Sequence, residues 1–136
     1  MPFKERAREA QKNLSLPLEE VAASAVGEGD RRSSMKVLVI GGGGREHAVC
    51  RKLSESKDVT ELLCAPGNAG IARVARCIPD VKATDIDGIV ALAKREKVNF
   101  VCVTPDDPLA LGCVDRLEAE GIAAFGPTAY AAQMEA

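Results

Sequence analysis

Tryptophan is absent from the 136-residue chain, and aromatic residues of all kinds make up only 3% of it. Proteins that bind single-stranded nucleic acid stack the bases on aromatic side chains, and this composition offers no such platform. An excess of positive charge is missing as well, because 18 Lys and Arg stand against 20 Asp and Glu, for a formal net charge of −2. We therefore expect neither a nucleic-acid partner nor attraction to an anionic membrane.

Long apolar runs and paired cysteine motifs are also absent. No run approaches the ~18 apolar residues of a membrane span, and the N-terminal segment mixes both signs of charge without the apolar centre of a secretion signal. The five cysteines are odd in number and include no C-x-x-C pair, which disfavours a disulfide framework and a zinc site. We expect a cytoplasmic protein without a metal site, in which Cys50, Cys64 and Cys102 are small buried apolar residues.

The N-terminal segment, residues 1–34, differs in composition from the rest of the chain. It contains few β-branched side chains and ends in a stretch rich in Gly, Ser and charge. Its two short helical stripes have too little apolar area to stabilise helices on their own. We expect a disordered or weakly helical leader. Three interpretations of it stay open: a targeting or peptide-binding segment, a non-essential tail, or the product of a start codon assigned too far upstream.

From Met35 onward, short β-rich runs alternate with helical segments. Buried strands that alternate with crossover helices are typical of a parallel sheet covered on both sides. The pattern therefore predicts an α/β, Rossmann-like domain over residues 35–136, with helices on both faces of the sheet. The predicted strands cover residues 36–40, 60–65, 99–103 and 122–125. The predicted helices cover about 45–56, 86–97 and 108–120, and Asp85 or its neighbour can cap the second of them.

Ligands of such sheets bind in the loops that follow the carboxyl ends of the strands. Four loops that contain Gly or Pro occupy these positions, and we expect them to converge on one crevice. They cover residues 41–46, 66–70, 104–109 and 126–128.

The first of these loops, with four consecutive glycines, fails two nucleotide motifs. The dinucleotide fingerprint G-x-G-x-x-G has Glu46 at its third glycine, and the second strand ends in Cys64-Ala65-Pro66 where a ribose-binding acid belongs. The P-loop spacing and lysine are missing too. What remains is a glycine loop before a helix N-terminus, which favours a phosphate or carboxylate, with Arg45 able to add a bidentate grip. The alternative is a simple tight turn, and His47 is either a polar helix residue or an acid–base group.

Four segments of the chain, in this order and spacing, resemble the N-terminal domain of the phosphoribosylamine–glycine ligase family. They are KVLVIGGGGREHA (36–48), APGNAG (65–70), PDDPLALG (105–112) and FGPTAYAAQMEA (125–136). The resemblance extends from Met35 to the last residue and implies the first domain of an ATP-grasp ligase. It also implies an enzyme of purine biosynthesis, which joins glycine to 5-phosphoribosylamine through glycyl phosphate while ATP is cleaved to ADP and phosphate.

The same resemblance implies which residues face the substrate. In the first and second loops they are Gly42, Gly43, Arg45, Glu46, Pro66, Gly67, Asn68 and Gly70. Asn68 is expected to hydrogen-bond to the ribose hydroxyls or the amine. The third loop departs from the family pattern G-P-E-x-P-L and places Asp106 at the position of the glutamate. Asp106 then either contacts a sugar hydroxyl or an amine, or caps the helix that follows.

For cofactors and partners, the resemblance implies ATP with Mg²⁺ or Mn²⁺ in the full-length enzyme, bound by ATP-grasp domains that follow this one. We expect 5-phosphoribosylamine and those domains as partners, no ATP or metal ion on residues 1–136, no catalytic residue among them, and no ligase activity of the chain alone. Two other hypotheses stay open. One is a free-standing sugar-phosphate-binding module that works with a partner in trans, and the other is a regulatory module that AMP or ATP would stabilise.

Overall fold

The computed structural model describes residues 35–57, 59–103 and 108–125, with the side chains of 108–111 and 125 excepted. The strands are β1 (Met35–Gly41), β2 (Val59–Pro66), β3 (Arg76–Cys77), β4 (Phe100–Val103) and β5 (Ala123–Phe125). The helices are α1 (Gly44–Ser54), α2 (Ile86–Arg95) and α3 (Pro108–Ala119), and one 3₁₀ turn covers Ile71–Arg73. The predicted leader, Asp106 and the loop at 126–128 lie outside the described residues.

The strands of the described region form one sheet in the order β3-β2-β1-β4-β5, and every pair in it is parallel. β1 lies at the centre, with β2 on one side and β4 on the other. The chain therefore adds β2 and β3 on one side of β1 and then crosses back to add β4 and β5 on the other side. The carboxyl end of β1 is thus the switch point at which open α/β sheets bind their ligands.

Apolar side chains cover both faces of the sheet, because alternate residues of a strand point to opposite sides. α1 and the 3₁₀ turn pack on one face, where the largest buried side chains are Phe100, Leu53 and Ile71. α2 and α3 pack on the other face, around Leu38, Ile40, Leu63, Ile89, Leu92 and Leu117. This arrangement confirms the predicted α/β fold with helices on both faces.

The predicted strands are present, and none of their ends differs from the predicted one by more than one residue. Asp85 caps α2 as predicted, since its Oδ1 accepts a hydrogen bond from the Gly88 N–H at 3.0 Å. α3 ends before Gly121, which has a φ of +79°. β3 was not predicted, because a two-residue strand is too short to give a periodic pattern.

The cysteines agree with a further expectation. Cys50, Cys64 and Cys102 are buried and carry free thiols, as the apolar runs around them predicted. In the described part of the chain, every helix is too short or too polar to cross a bilayer.

Candidate functional site

The first two predicted loops lie side by side at the carboxyl edge of the sheet. β1 ends at Gly41 and β2 ends at Pro66, and these two residues are partners in the parallel register. The peptide bond between Ala65 and Pro66 is cis. The first loop then leads into α1, and the second leads into the 3₁₀ turn, so that both loops start from the same point of the sheet edge.

Two hydrogen bonds join the loops directly. The Gly67 N–H donates to the Gly41 carbonyl oxygen at 3.1 Å, and the Asn68 side-chain amino group donates to the Gly42 carbonyl oxygen at 2.7 Å. The backbones are also in close contact, because a Cβ atom added to Gly42 would lie 2.9 Å from the Gly67 carbonyl oxygen. Only glycine at position 42 allows this approach.

The second loop rests on β3 and on the start of the 3₁₀ turn. Asn68 Oδ1 accepts a hydrogen bond from the Ile71 N–H at 2.9 Å, and the Cys77 thiol donates to the Asn68 carbonyl oxygen at 3.6 Å. Gly67 has a φ of +77°, and a Cβ atom there would overlap the Cys77 Sγ atom and lie 2.9 Å from its Cβ. Gly67 is therefore required both by its backbone conformation and by the space that Cys77 fills.

At the start of α1, Glu46 folds back onto the first loop. Its Oε1 atom accepts a hydrogen bond from the Gly43 N–H at 3.4 Å, and its side chain covers Gly41. This is the arrangement of a helix cap with an acid in the first turn. Gly44 and Arg45, by contrast, are exposed, and a Cβ atom on Gly44 would contact nothing within 4 Å. The open side of the first loop thus begins at Gly43 and Gly44.

Neutral thiols lie under the two loops. The Cys64 thiol donates to the Gly41 carbonyl oxygen at 3.3 Å. A hydrogen bond with the Cys50 thiol, together with burial, raises the pKa of Cys64 well above its ordinary value. Burial likewise raises the pKa of Cys77 and of Cys102. The Cys64 and Cys77 thiols therefore stay protonated at neutral pH and support the loops without adding charge to them.

The structure brings together the predicted residues of the first and second loops, which are Gly42, Gly43, Arg45, Glu46, Pro66, Gly67, Asn68 and Gly70. Their roles toward a substrate stay predictions, as does that of Asp106, which lies outside the described residues. Sequence reasoning missed the supporting role of Cys77, because it lies on the unpredicted strand β3. It also left His47 unassigned, although a Cβ atom on Gly70 would lie only 3.0 Å from the His47 imidazole. The GREHA (44–48) and PGNAG (66–70) segments follow neighbouring strands, and this could have indicated that His47 lies close to Gly70.

Comparison with known proteins finds a family that covers this whole site. Residues 35–135 match the family described as Phosphoribosylglycinamide synthetase, N domain. Proteins named phosphoribosylamine–glycine ligase are similar to the chain over about 100 residues. Those of Xanthomonas campestris pv. campestris and Streptomyces coelicolor are 55% and 54% identical to it, and that of Caldanaerobacter subterraneus is 46% identical. Each match covers 74% of this chain and 24% of the relative, so the chain spans about a quarter of the length of these relatives.

Proposed function

Because the chain belongs to the family of phosphoribosylglycinamide synthetase N domains, we propose that it supplies the 5-phosphoribosylamine site of a phosphoribosylamine–glycine ligase. The observation that carries this proposal is the pair of joined loops at the carboxyl end of β1 and β2, directly before the N-terminus of α1. The relatives are about four times as long as the matched region. The proposal therefore assigns to this chain the sugar-phosphate site and not the whole reaction.

The phosphate of the substrate would bind at the first loop. The first N–H groups of an α-helix have no acceptor within the helix, and the helix dipole puts partial positive charge at the same end. Gly43 and Gly44 are exposed, and Gly44 leaves room for an anion to approach the backbone beside the Gly43 N–H, which donates to Glu46 Oε1. Arg45 follows on the exposed first turn of α1 and supplies a full positive charge for a phosphate dianion.

The ribosyl group would extend toward the second loop, because Pro66 to Gly70 border the same edge of the sheet. Asp106 belongs to the proposal as a contact to a sugar hydroxyl or to the amine. In the reaction that the family resemblance implies, the amine of the bound substrate attacks the carbonyl carbon of glycyl phosphate, and phosphate leaves. The task of this domain is to hold the amine in position for that attack.

ATP and Mg²⁺ do not fit the described residues. Among them, no group of three or more His, Cys, Asp or Glu side chains is arranged to hold a metal ion, and the first loop has neither the spacing nor the lysine of a P-loop. We derive no step of the mechanism through these cofactors. The proposal leaves nucleotide and metal binding to sequence other than the described residues.

A binding titration tests the proposal with ribose 5-phosphate as a stable probe. At a concentration of about ten times Kd, the probe is expected to stabilise the chain by about 1.4 kcal/mol and to raise Tm by several degrees. Arg45→Gln is expected to weaken binding about 10- to 100-fold, since a charge-assisted hydrogen bond contributes about 1.5–3 kcal/mol. Arg51→Gln is the matched control, because Arg51 lies in the last turn of the same helix.

Two outcomes would contradict the proposal. Stabilisation by AMP or ATP without stabilisation by ribose 5-phosphate would favour the regulatory module instead. Release of phosphate from ATP by the 136-residue chain, in the presence of glycine and phosphoribosylamine, would show that it carries the whole reaction. We expect no such turnover.

A further inference from the structure

The side-chain amide of Asn68 uses both of its ends inside the protein. Its amino group donates to the Gly42 carbonyl oxygen at 2.7 Å, and its Oδ1 atom accepts from the Ile71 N–H at 2.9 Å. The first bond crosses to the other loop, whereas the second closes a local turn three residues further along the chain. The orientation of the amide is therefore fixed, because each neighbour can act only as an acceptor or only as a donor.

The bond to Gly42 lies beside the open part of the first loop. Gly42 is followed at once by Gly43 and Gly44, where the exposed backbone begins. On its other side, Gly42 is in close contact with the Gly67 carbonyl oxygen. Without the Asn68 bond, the Gly67–Gly41 hydrogen bond would still join the loops, but Gly42 would lose its own bond to the second loop, and the backbone that leads into α1 would be less firmly held.

We propose that Asn68 is a positioning residue, which sets the geometry of the phosphate-binding loop through Gly42 and does not itself bind the ribose. This inference rests on the proposed function, since it assumes that the first loop receives the phosphate. It differs from the expectation drawn from the sequence, in which Asn68 hydrogen-bonds to the ribose hydroxyls or the amine. The two roles predict different responses to a ligand that has a phosphate group and no sugar.

Asn68→Ser separates the two bonds of the amide. A serine hydroxyl can accept from an N–H group three residues later, so the bond to the Ile71 N–H can be kept. The serine side chain is one atom shorter than that of asparagine and does not reach the Gly42 carbonyl oxygen. The substitution also leaves the charge of the site unchanged, which matters because an added carboxylate would repel phosphate on its own.

The experiment is a titration of wild type and Asn68→Ser with inorganic phosphate and with ribose 5-phosphate. Loss of one interloop hydrogen bond is expected to weaken the binding of both ligands by the same factor, about three- to tenfold. The amide NMR signals of residues 42–46 are expected to shift in the unliganded variant, while those of α2 keep their wild-type positions. Asn99→Ser is the control, because Asn99 accepts from the Lys36 N–H at the opposite end of the sheet. It should leave both affinities unchanged.

The outcomes distinguish this inference from the proposed function. If ribose 5-phosphate binds more weakly to Asn68→Ser while inorganic phosphate binds as before, Asn68 contacts the sugar and the inference is wrong. Unchanged affinity for both ligands would also overturn it. If wild type binds neither ligand, the proposed function fails, and the inference fails with it. Should Asn68→Ser not fold, the wild type provides the test: the side-chain amide NMR signals of Asn68 should respond alike to inorganic phosphate and to ribose 5-phosphate, and a shift that only ribose 5-phosphate causes would overturn the inference.

Discussion

The carboxyl end and the amino end of the sheet are stabilised by different kinds of interaction. At the carboxyl end, the two loops are joined by backbone groups and the Asn68 amide and are supported by the Cys64 and Cys77 thiols, all of them neutral, and the Glu46 carboxylate accepts from the Gly43 N–H. At the amino end, five charged side chains form a network of ion pairs on the α2 side of the sheet: Lys36, Glu61, Arg76, Arg95 and Glu96. The ion-pair network thus lies at the end where no ligand is proposed. At the other end lie the N-terminus of α1 and Arg45, to which the proposed function assigns the phosphate.

The network at the amino end centres on Lys36. Its ammonium group lies 2.9 Å from a Glu61 carboxylate oxygen and 3.1 Å from a Glu96 carboxylate oxygen, and Arg76 contacts both carboxylates. Hydrogen bonds to Glu61 and Glu96 raise the pKa of Lys36. Hydrogen bonds from Lys36 and Arg76 lower the pKa of Glu96. Each charge is therefore stabilised by the others, but the group is partly exposed to water and to salt.

The largest loss of stability is expected from Gly67→Ala, a substitution in the second loop at the carboxyl end of the sheet. The positive φ costs a non-glycine residue about 1–2 kcal/mol, and the overlap with Cys77 adds about 1–3 kcal/mol. We expect the free energy of unfolding, measured in urea, to fall by about 2–5 kcal/mol.

A double variant separates the two causes of this loss of stability, which are the positive φ at position 67 and the overlap with Cys77. Cys77→Ala removes the Sγ atom that the new methyl group would overlap, so Gly67→Ala combined with Cys77→Ala should recover part of the overlap cost and none of the backbone cost. Additive losses in the double variant would mean that the new methyl group does not overlap the Cys77 Sγ atom.

Gly42→Ala and Gly44→Ala divide the run of four glycines into a packed half and an open half. A methyl group at position 42 meets the Gly67 carbonyl oxygen at 2.9 Å, and we expect it to destabilise the domain by about 1–3 kcal/mol. At position 44 a methyl group meets nothing within 4 Å, and alanine favours the helix that begins there. Thermal unfolding of Gly44→Ala should therefore show either an unchanged Tm or a higher one, the latter corresponding to a gain in the free energy of unfolding of roughly 0.4–1 kcal/mol. Equal losses at both positions would contradict the division.

The fold and the meeting of the first two loops were predictable from sequence, whereas the contacts inside the loops were not. Apolar runs such as 36–40 and 99–103 identify buried parallel strands, and the carboxyl ends of neighbouring parallel strands must lie together. That Glu46 turns back to Gly43 and that Asn68 reaches Gly42 depends on side-chain rotamers and on the exact approach of two backbones. Neither leaves a periodic pattern in the sequence. The short strand β3 was missed for the same reason, and with it the support that Cys77 gives to Gly67.

The smallest effect is expected at the charged end, from Glu96→Gln. A glutamate whose pKa is lowered on folding stabilises the protein above its unfolded pKa of about 4.3, and this stabilisation is lost as the pH falls through the folded value. The raised pKa of Lys36 acts in the opposite sense, so its contribution is lost only above about pH 10.5. We expect Glu96→Gln to lower Tm by a few degrees at most at pH 7 in low salt.

This difference in Tm should shrink below about pH 4 and at an ionic strength of about 1 M. Glu120→Gln is the matched control, because Glu120 pairs only with Lys94 among the ion pairs of the described residues, and an isolated exposed pair contributes less than a network. If Glu96→Gln and Glu120→Gln changed Tm equally, the five charges at the amino end would be acting as separate surface pairs. The amino end would then have no ion-pair network that acts as a unit, and the two ends would differ only in the joined loops of the carboxyl end.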